Sequence, residues 1–208
     1  MTSKRSLVRR TAAVAASAAA ALVLAACGGN GDSSAGHDGH SQKSPSASAS
    51  AAPGQQNAAD VAFAKGMIPH HRQAVEMADL APSRAGSAEV KELAEQIKKA
   101  QDPEIKTLSG WLTSWGEEVP AEGAMDHSEH GMGGMMTAEE MDKLKDSSGK
   151  AFDTAFLEMM IKHHEGAVSM AETEKSDGSY EPAQKMADAI ITSQTAEITQ
   201  MNKLLGKN

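Results

Sequence analysis

The 208 residues carry 20 basic and 28 acidic side chains, a formal net charge of −8, 3% aromatic residues and a single Cys. A chain this acidic and this poor in aromatic rings lacks both the charge that neutralises phosphates and the platforms on which bases stack, so nucleic acid is not expected as a partner. With one Cys no intramolecular disulfide forms, and no Cys-built zinc or catalytic site exists.

Residues 1–26 read as a targeting segment. Lys4, Arg5, Arg9 and Arg10 form a positive start, and an Ala-rich apolar stretch follows to Ala26. The stretch is shorter than the roughly 20 apolar residues of a membrane-spanning helix. It ends in Leu24-Ala25-Ala26-Cys27, which resembles the lipobox of bacterial lipoproteins. In such proteins the Cys is lipidated and becomes the first mature residue. The expectation is a lipoprotein signal peptide over 1–26, lipidation at Cys27, and a mature protein anchored to the outer face of the cell membrane. Arg9-Arg10 leaves twin-arginine export open beside the general secretory route. Removal of 1–26 takes away four basic residues and no acidic ones, so the mature chain is more negative still.

From residue 27 to 57 the chain is Gly, Ser, Ala, Pro and polar residues, a composition that cannot bury a core and predicts a disordered tether. Residues 58–208 are enough for one domain. They contain an internal repeat at an offset of 93: Asp60, Phe63, Met67, Ile68, His70, His71, Ala74, Val75, Met77 and Ala78 recur as Asp153, Phe156, Met160, Ile161, His163, His164, Ala167, Val168, Met170 and Ala171. Further on, Ala94, Ile97, Gln101, Glu104 and Ile105 recur as Ala187, Ile190, Gln194, Glu197 and Ile198. One gapless offset over so long a stretch indicates duplication.

Each copy predicts two helices. Helix one covers about 58–80, with Asn57 as N-cap and Ala81-Pro82 as its end. Helix two covers about 88–115, capped by Ser87, with an apolar stripe at Val90, Leu93, Ile97, Ile105, Leu108 and Leu112. Pro69 and Pro103 fall inside these two and are expected to kink or break them, and Asp102-Pro103 could restart the second. Between the repeats (58–116 and 150–205) lie a Gly-, Met- and His-rich loop, 117–136, and a short helix, 137–146, opened by the box Thr137-x-x-Glu140. Helix three covers about 151–174, and helix four runs from near Pro182 to Leu205. Short hairpin loops make the partners antiparallel, and no segment alternates with the period of a strand. The expected fold class is all-α, a four-helix bundle of two repeated hairpins.

On helix one Asp60, Phe63, Met67, His70, His71, Ala74 and Ala78 share a face, and the same face recurs on helix three. Met67 lies three and four residues before His70 and His71, so the side chains are neighbours. A thioether beside an imidazole suits Cu(I), while imidazole alone also suits Cu(II), zinc, nickel or iron. If the two faces meet, Met67, His70, His71, Met160, His163 and His164 converge. Met at helical spacing is ordinarily core filler and a lone His is ordinarily hydrogen-bonded, but here both recur together. Glu104 and Glu197, with Gln101 and Gln194, interrupt the apolar stripes and are expected to meet the histidines or a metal. All eight histidines occur in pairs, the others being His37/His40 in the tether and His127/His130 in the central loop. Met125, Met132, Met135 and Met136 flank the latter pair, and thioethers on a solvated loop suit soft metal capture.

The pattern F-x-x-x-M-I-x-H-H-x-x-A-V-x-M-A, present as Phe63–Ala78 and Phe156–Ala171, resembles bacterial domain-of-unknown-function family 305, as does the trailing Q-x-x-E-I. The resemblance covers residues 58–205. It implies a ferritin-like fold and, from some members, copper binding and copper tolerance through Met and His. The expected function is a lipid-anchored, extracytoplasmic copper-binding or copper-buffering protein. Copper ion is the expected cofactor, and another transition metal is the alternative. Two other functions compete. A ferritin-like di-metal oxidoreductase would use Glu104 and Glu197, but Glu-x-x-His is missing from both halves: Met67, Ile68, Met160 and Ile161 stand where the Glu would be. A metal-free helical interaction module leaves the paired histidines unexplained. No nucleophile triad, phosphate loop or zincin motif appears.

Overall fold

Five helices account for most of the residues that the computed structural model describes, 56–122 and 133–207. They are α1 (Ala58–Arg84), α2 (Ala88–Trp115), α3 (Ala138–Asp146), α4 (Gly149–Asp177) and α5 (Glu181–Leu204). Among the described residues there is no strand, and no helix is long and apolar enough to cross a membrane. Cys27, His37, His40, Met125, His127, His130 and Met132 lie outside the described residues.

Local chemistry fixes the helix starts. The Asn57 side chain accepts from the Ala59 and Asp60 N–H groups at 2.8 and 3.1 Å, and the Asp60 carboxylate accepts from the Asn57 N–H. Ser87 caps α2 through Val90 N–H, and Thr137 and Glu140 form the reciprocal box that opens α3. The prolines do less than their chemistry suggests. Helix α1 runs unbroken through Pro69 and past Pro82 to Arg84, and α2 through Pro103. Each Pro removes only one donor, and packing on either side holds the helix. Around Pro69 the neighbours Met67, Ile68, His70 and His71 are all buried, while Pro103 and Lys99 are exposed, where water reaches the freed carbonyl.

The hairpins α1/α2 and α4/α5 turn over in three residues each, and the two hairpins meet through α1 and α4. Each hairpin's first helix clamps the other's turn. Asp153 on α4 accepts from the Gly86 and Ser87 N–H groups, both at 2.9 Å. Its repeat partner Asp60 on α1 accepts from Ser179 and Tyr180 N–H at 3.0 and 2.9 Å. These four amides are themselves repeat partners, so the duplication returns as an approximate two-fold exchange.

The apolar core divides in two, one cluster toward each end of the central helices. One joins Ala74, Met77 and Ala78 of α1 to Leu93 and Ile97 of α2 and to Phe152, Phe156 and Met160 of α4. The other joins Phe63, Met67 and Ile68 of α1 to Leu108 and Leu112 of α2 and to Ala167, Ala187 and Ile190 of α4 and α5. Along α1 and α4 the four paired histidines fall between the two.

Candidate metal centre

The central crossing of α1 and α4 is polar. His70 and His163 are 0% and 1% exposed, and their rings lie face to face with centroids 3.7 Å apart, tilted by 40°. At that separation the rings are in van der Waals contact. No ion fits between the faces, so any ligation runs through the edge nitrogens, where a metal–imidazole bond is about 2 Å long. Neither ring nitrogen of either residue has a hydrogen-bond partner among the described residues.

His71 and His164 are equally buried but turn toward the outer helix of their own hairpin. His71 Nε2 lies 2.7 Å from Glu104 Oε2, and His164 Nε2 lies 2.6 Å from Glu197 Oε2. A carboxylate can only accept, so in the neutral ring Nε2 carries the proton and donates. That leaves the lone pair on Nδ1, and both Nδ1 atoms lack a partner. Gln101 and Gln194, one turn before these glutamates, are buried with an unpartnered Oε1.

Burial, joined by the charges of His71 and His164, pushes His70 down from 6.5 to about 3, against a weaker opposite pull from the Gly133 carbonyl. Burial and the neighbouring imidazoles hold His163 well below the ordinary histidine value. Both rings are therefore neutral at physiological pH, the protonation state that ligates metals. Six buried, unpartnered ring nitrogens are a costly arrangement in a folded chain unless something binds them. The donor chemistry fits a soft or borderline ion.

The thioethers are placed differently from expectation. Met67 and Met160 are each fully buried one turn before His70 and His163, but they belong to different apolar clusters, one on each side of the histidines. Helices α1 and α4 run antiparallel, so a residue one turn before the crossing on one helix lies opposite a residue one turn after it on the other. The two thioethers therefore lie on opposite sides of the histidine pair. Among the described residues no three His, Cys, Asp or Glu side chains make a metal-ligating group on their own. Glu104 and Glu197 are spent on His71 and His164. Of the loop methionines, Met135 is half-buried, and Met136 is 5% exposed inside the first cluster, so its thioether has a packing role that a solvated loop would not give it.

Three further polar residues are also buried. Gln73 bonds both backbone groups of Met136, its Nε2 donating to the carbonyl at 2.8 Å and its Oε1 accepting from the N–H at 2.7 Å. Asp60 in the first turn of α1 and Glu174 near the end of α4 lie together as two buried carboxyl groups. Burial, then the neighbouring Asp60 carboxylate, raises Glu174 to about 8, and neither Glu174 carboxyl oxygen meets hydrogen-bond geometry among the described residues. Burial also opposes ionisation of Asp60, but the Asn57 N–H, the neighbouring Glu174 carboxyl and the Tyr180 and Ser179 N–H groups outweigh it and hold that group below its ordinary value. Glu174 is the member of the pair that stays protonated at neutral pH.

The family model for the domain of unknown function DUF305 matches residues 60–205. The chain belongs to the DUF305 family. None of the curated proteins matches it. Among solved structures, it is similar to a DUF305 protein of Streptomyces coelicolor described as secreted (35% identity over 72% of this chain and 93% of that one, TM-score 0.65). A DUF305 fragment from Deinococcus radiodurans has 27% identity over 73% of this chain and 98% of that one, with TM-score 0.65. CopM in its Cu(II)-bound form has 38% identity over 70% of this chain and 94% of that one, with TM-score 0.61. CopM is also known in Cu(I)-bound and silver-bound forms.

Proposed function

We propose that this DUF305 protein binds copper outside the cytoplasm, as a buffering or tolerance protein tethered to the membrane through Cys27. The observation that carries the reading is the buried histidine layer. Four buried imidazoles hold unpartnered nitrogens between two apolar clusters, and on each central helix a fully buried thioether stands one turn away. Nitrogen and thioether donors favour copper over the hard, carboxylate-rich sites of di-iron bundles. Because Glu104 and Glu197 already bond His71 and His164, they act as acceptors that fix tautomer and ring orientation. Ligation would fall to His70, His163, Nδ1 of His71 and His164, and the adjacent Met67 and Met160. The loop residues His127, His130, Met132 and Met135 would capture ions outside the helices.

Similarity to CopM, which binds Cu(I), Cu(II) and silver, supports the same chemistry here. The lipobox before Cys27 and the similarity to a protein described as secreted support the location. Titration of the purified protein with Cu(I), Cu(II), zinc and iron, with metal analysis after dialysis, tests the reading. Retention of Cu(I) and Cu(II) in preference to zinc and iron is expected. Equal indifference to all four would remove it. Replacement of Cys27 by Ser should abolish lipid labelling and release the protein from membranes.

A further inference from the structure

The residues one turn after His70 and His163 are Gln73 and Gly166, which occupy the same position in the two repeats. A duplicated fold would ordinarily place like residues there. Instead both hold a single segment, the end of the central loop, from opposite sides. Gln73, 1% exposed, takes both backbone groups of Met136. Gly166 lies buried inside α4, where a glycine weakens a helix and so requires a reason. The reason is close backbone approach: a Cβ at Gly166 would fall 1.8 Å from the Gly133 carbonyl oxygen and 2.6 Å from its carbon. Gly134 has a φ of +87°, and a Cβ there would lie 2.5 Å from the Lys162 carbonyl oxygen, so the seat is glycine on both sides. The Gly133 carbonyl lies beside the His70 ring, without meeting hydrogen-bond geometry at either nitrogen. At the loop's other end Arg72 Nη1 donates to the Pro120 and Ala121 carbonyls at 2.6 and 3.0 Å. Both described ends of the loop are thus fastened to consecutive residues of α1, immediately after the histidine pair.

We infer that the segment Gly133–Met136 is the cover of the buried imidazole pair, and that Gln73 and Gly166 are positioning residues that set how fast a metal ion reaches and leaves His70 and His163. The metal half of this inference rests on the copper reading above, whereas the covering role does not.

The test uses the full chain with Gly166→Ala and, separately, Gln73→Leu. The first adds a Cβ where the Gly133 carbonyl sits and otherwise favours the helix. The second removes both bonds to Met136 and leaves an apolar side chain. Gly110→Ala, a helical glycine with nothing within 4 Å of its added Cβ, is the control. On metal-free protein of unchanged helix content, diethyl pyrocarbonate should modify His70 and His163 at least tenfold faster in both variants than in the parent and the control, read by peptide mass spectrometry. On protein loaded with Cu(I), release to an excess of chelator should accelerate by a similar factor. Modification rates equal to the parent's in both variants would overturn the cover. Faster modification with unchanged Cu(I) release would overturn its control over the metal. Failure of the parent to bind Cu(I) at all would defeat the copper reading while the modification rates still decided the cover.

Discussion

Replacing Met67 and Met160 by Leu separates a metal-binding thioether from a space-filling one. Both side chains are 0% exposed, so the substitution acts in a packed interior. Leu keeps the volume and the apolarity, and such swaps usually cost less than about 1.5 kcal/mol each. For a chain of this size, 1 kcal/mol moves the melting temperature by roughly 2–4 °C, so each single variant should melt less than about 6 °C below the parent when metal-free. The two residues sit in different core clusters and share no partner, so the stability costs should add. Affinity behaves otherwise. Loss of a supporting contact to a metal ligand weakens binding by about 10- to 100-fold, and loss of the ligand itself should cost no less. Competition for Cu(I) against a chromogenic chelator should therefore show at least a tenfold loss, with Cu(II) held through imidazole changing less. Because the thioethers lie on opposite sides of the histidines, each single variant should weaken only part of the bound Cu(I). A double variant that melts within the expected window yet holds Cu(I) as tightly as the parent would show that both methionines are core and would refute the helical copper site.

The metal-free protein should be most stable between mildly acidic and neutral pH. His70, depressed from 6.5 to about 3, stays neutral in the fold while the unfolded chain takes up a proton, so its contribution is intact above 6.5 and is lost as pH falls toward 3. Glu174, raised from 4.5 to about 8 beside Asp60, keeps a proton the unfolded chain releases; its contribution is full below 4.5 and is lost as pH rises to about 8. Glu174→Gln should flatten the alkaline side in denaturant titrations across pH, and an unchanged alkaline slope would count against a protonated Glu174. Asp153→Ala removes the acceptor of the Gly86 and Ser87 amides and should destabilise by about 1–3 kcal/mol, seen as a lower denaturation midpoint. Gly110→Ala, exposed inside α2 with open space at its Cβ, should stabilise by about 0.5–1 kcal/mol in the same assay.

The helices were legible because periodicity, caps and duplication all pointed the same way. Asn57, Ser87 and Thr137 begin helices in the structure as their side chains require. The prolines misled, because the cost of one missing donor is local while the packing that offsets it is tertiary. The repeat left open whether Glu104 and Glu197 meet the histidines or a metal, and the structure joins His71 to Glu104 and His164 to Glu197 across the same 33 residues. The separation of Met67 from Met160 depends on the antiparallel crossing of α1 and α4, which no single helix encodes. Gln73 and Gly166 were legible only as a discord: where the repeat predicts matching residues, one half has an amide and the other no side chain at all. Glu174 is a discord of the same kind, standing where its repeat partner is the buried Ala81.

The discords and the symmetric residues have different energetic roles. The symmetric Asp60 and Asp153 each tie one repeat to the other's turn, so they stabilise the duplicated fold whether or not anything is bound. The symmetric histidines do the opposite. A buried polar group left without a partner costs about 1–3 kcal/mol, and the layer holds six such ring nitrogens between two apolar clusters that could otherwise have been continuous. A chain selected for stability alone would fill that layer with apolar side chains, as it does on either side. On the copper reading, an ion bound there would recover part of that cost, and a ligand at 100 times its dissociation constant would add about 2.7 kcal/mol to the folded state. Occupancy would then be coupled to stability. The asymmetric Gln73 and Gly166, by seating one shared segment over the layer, govern the rate at which that coupling is expressed.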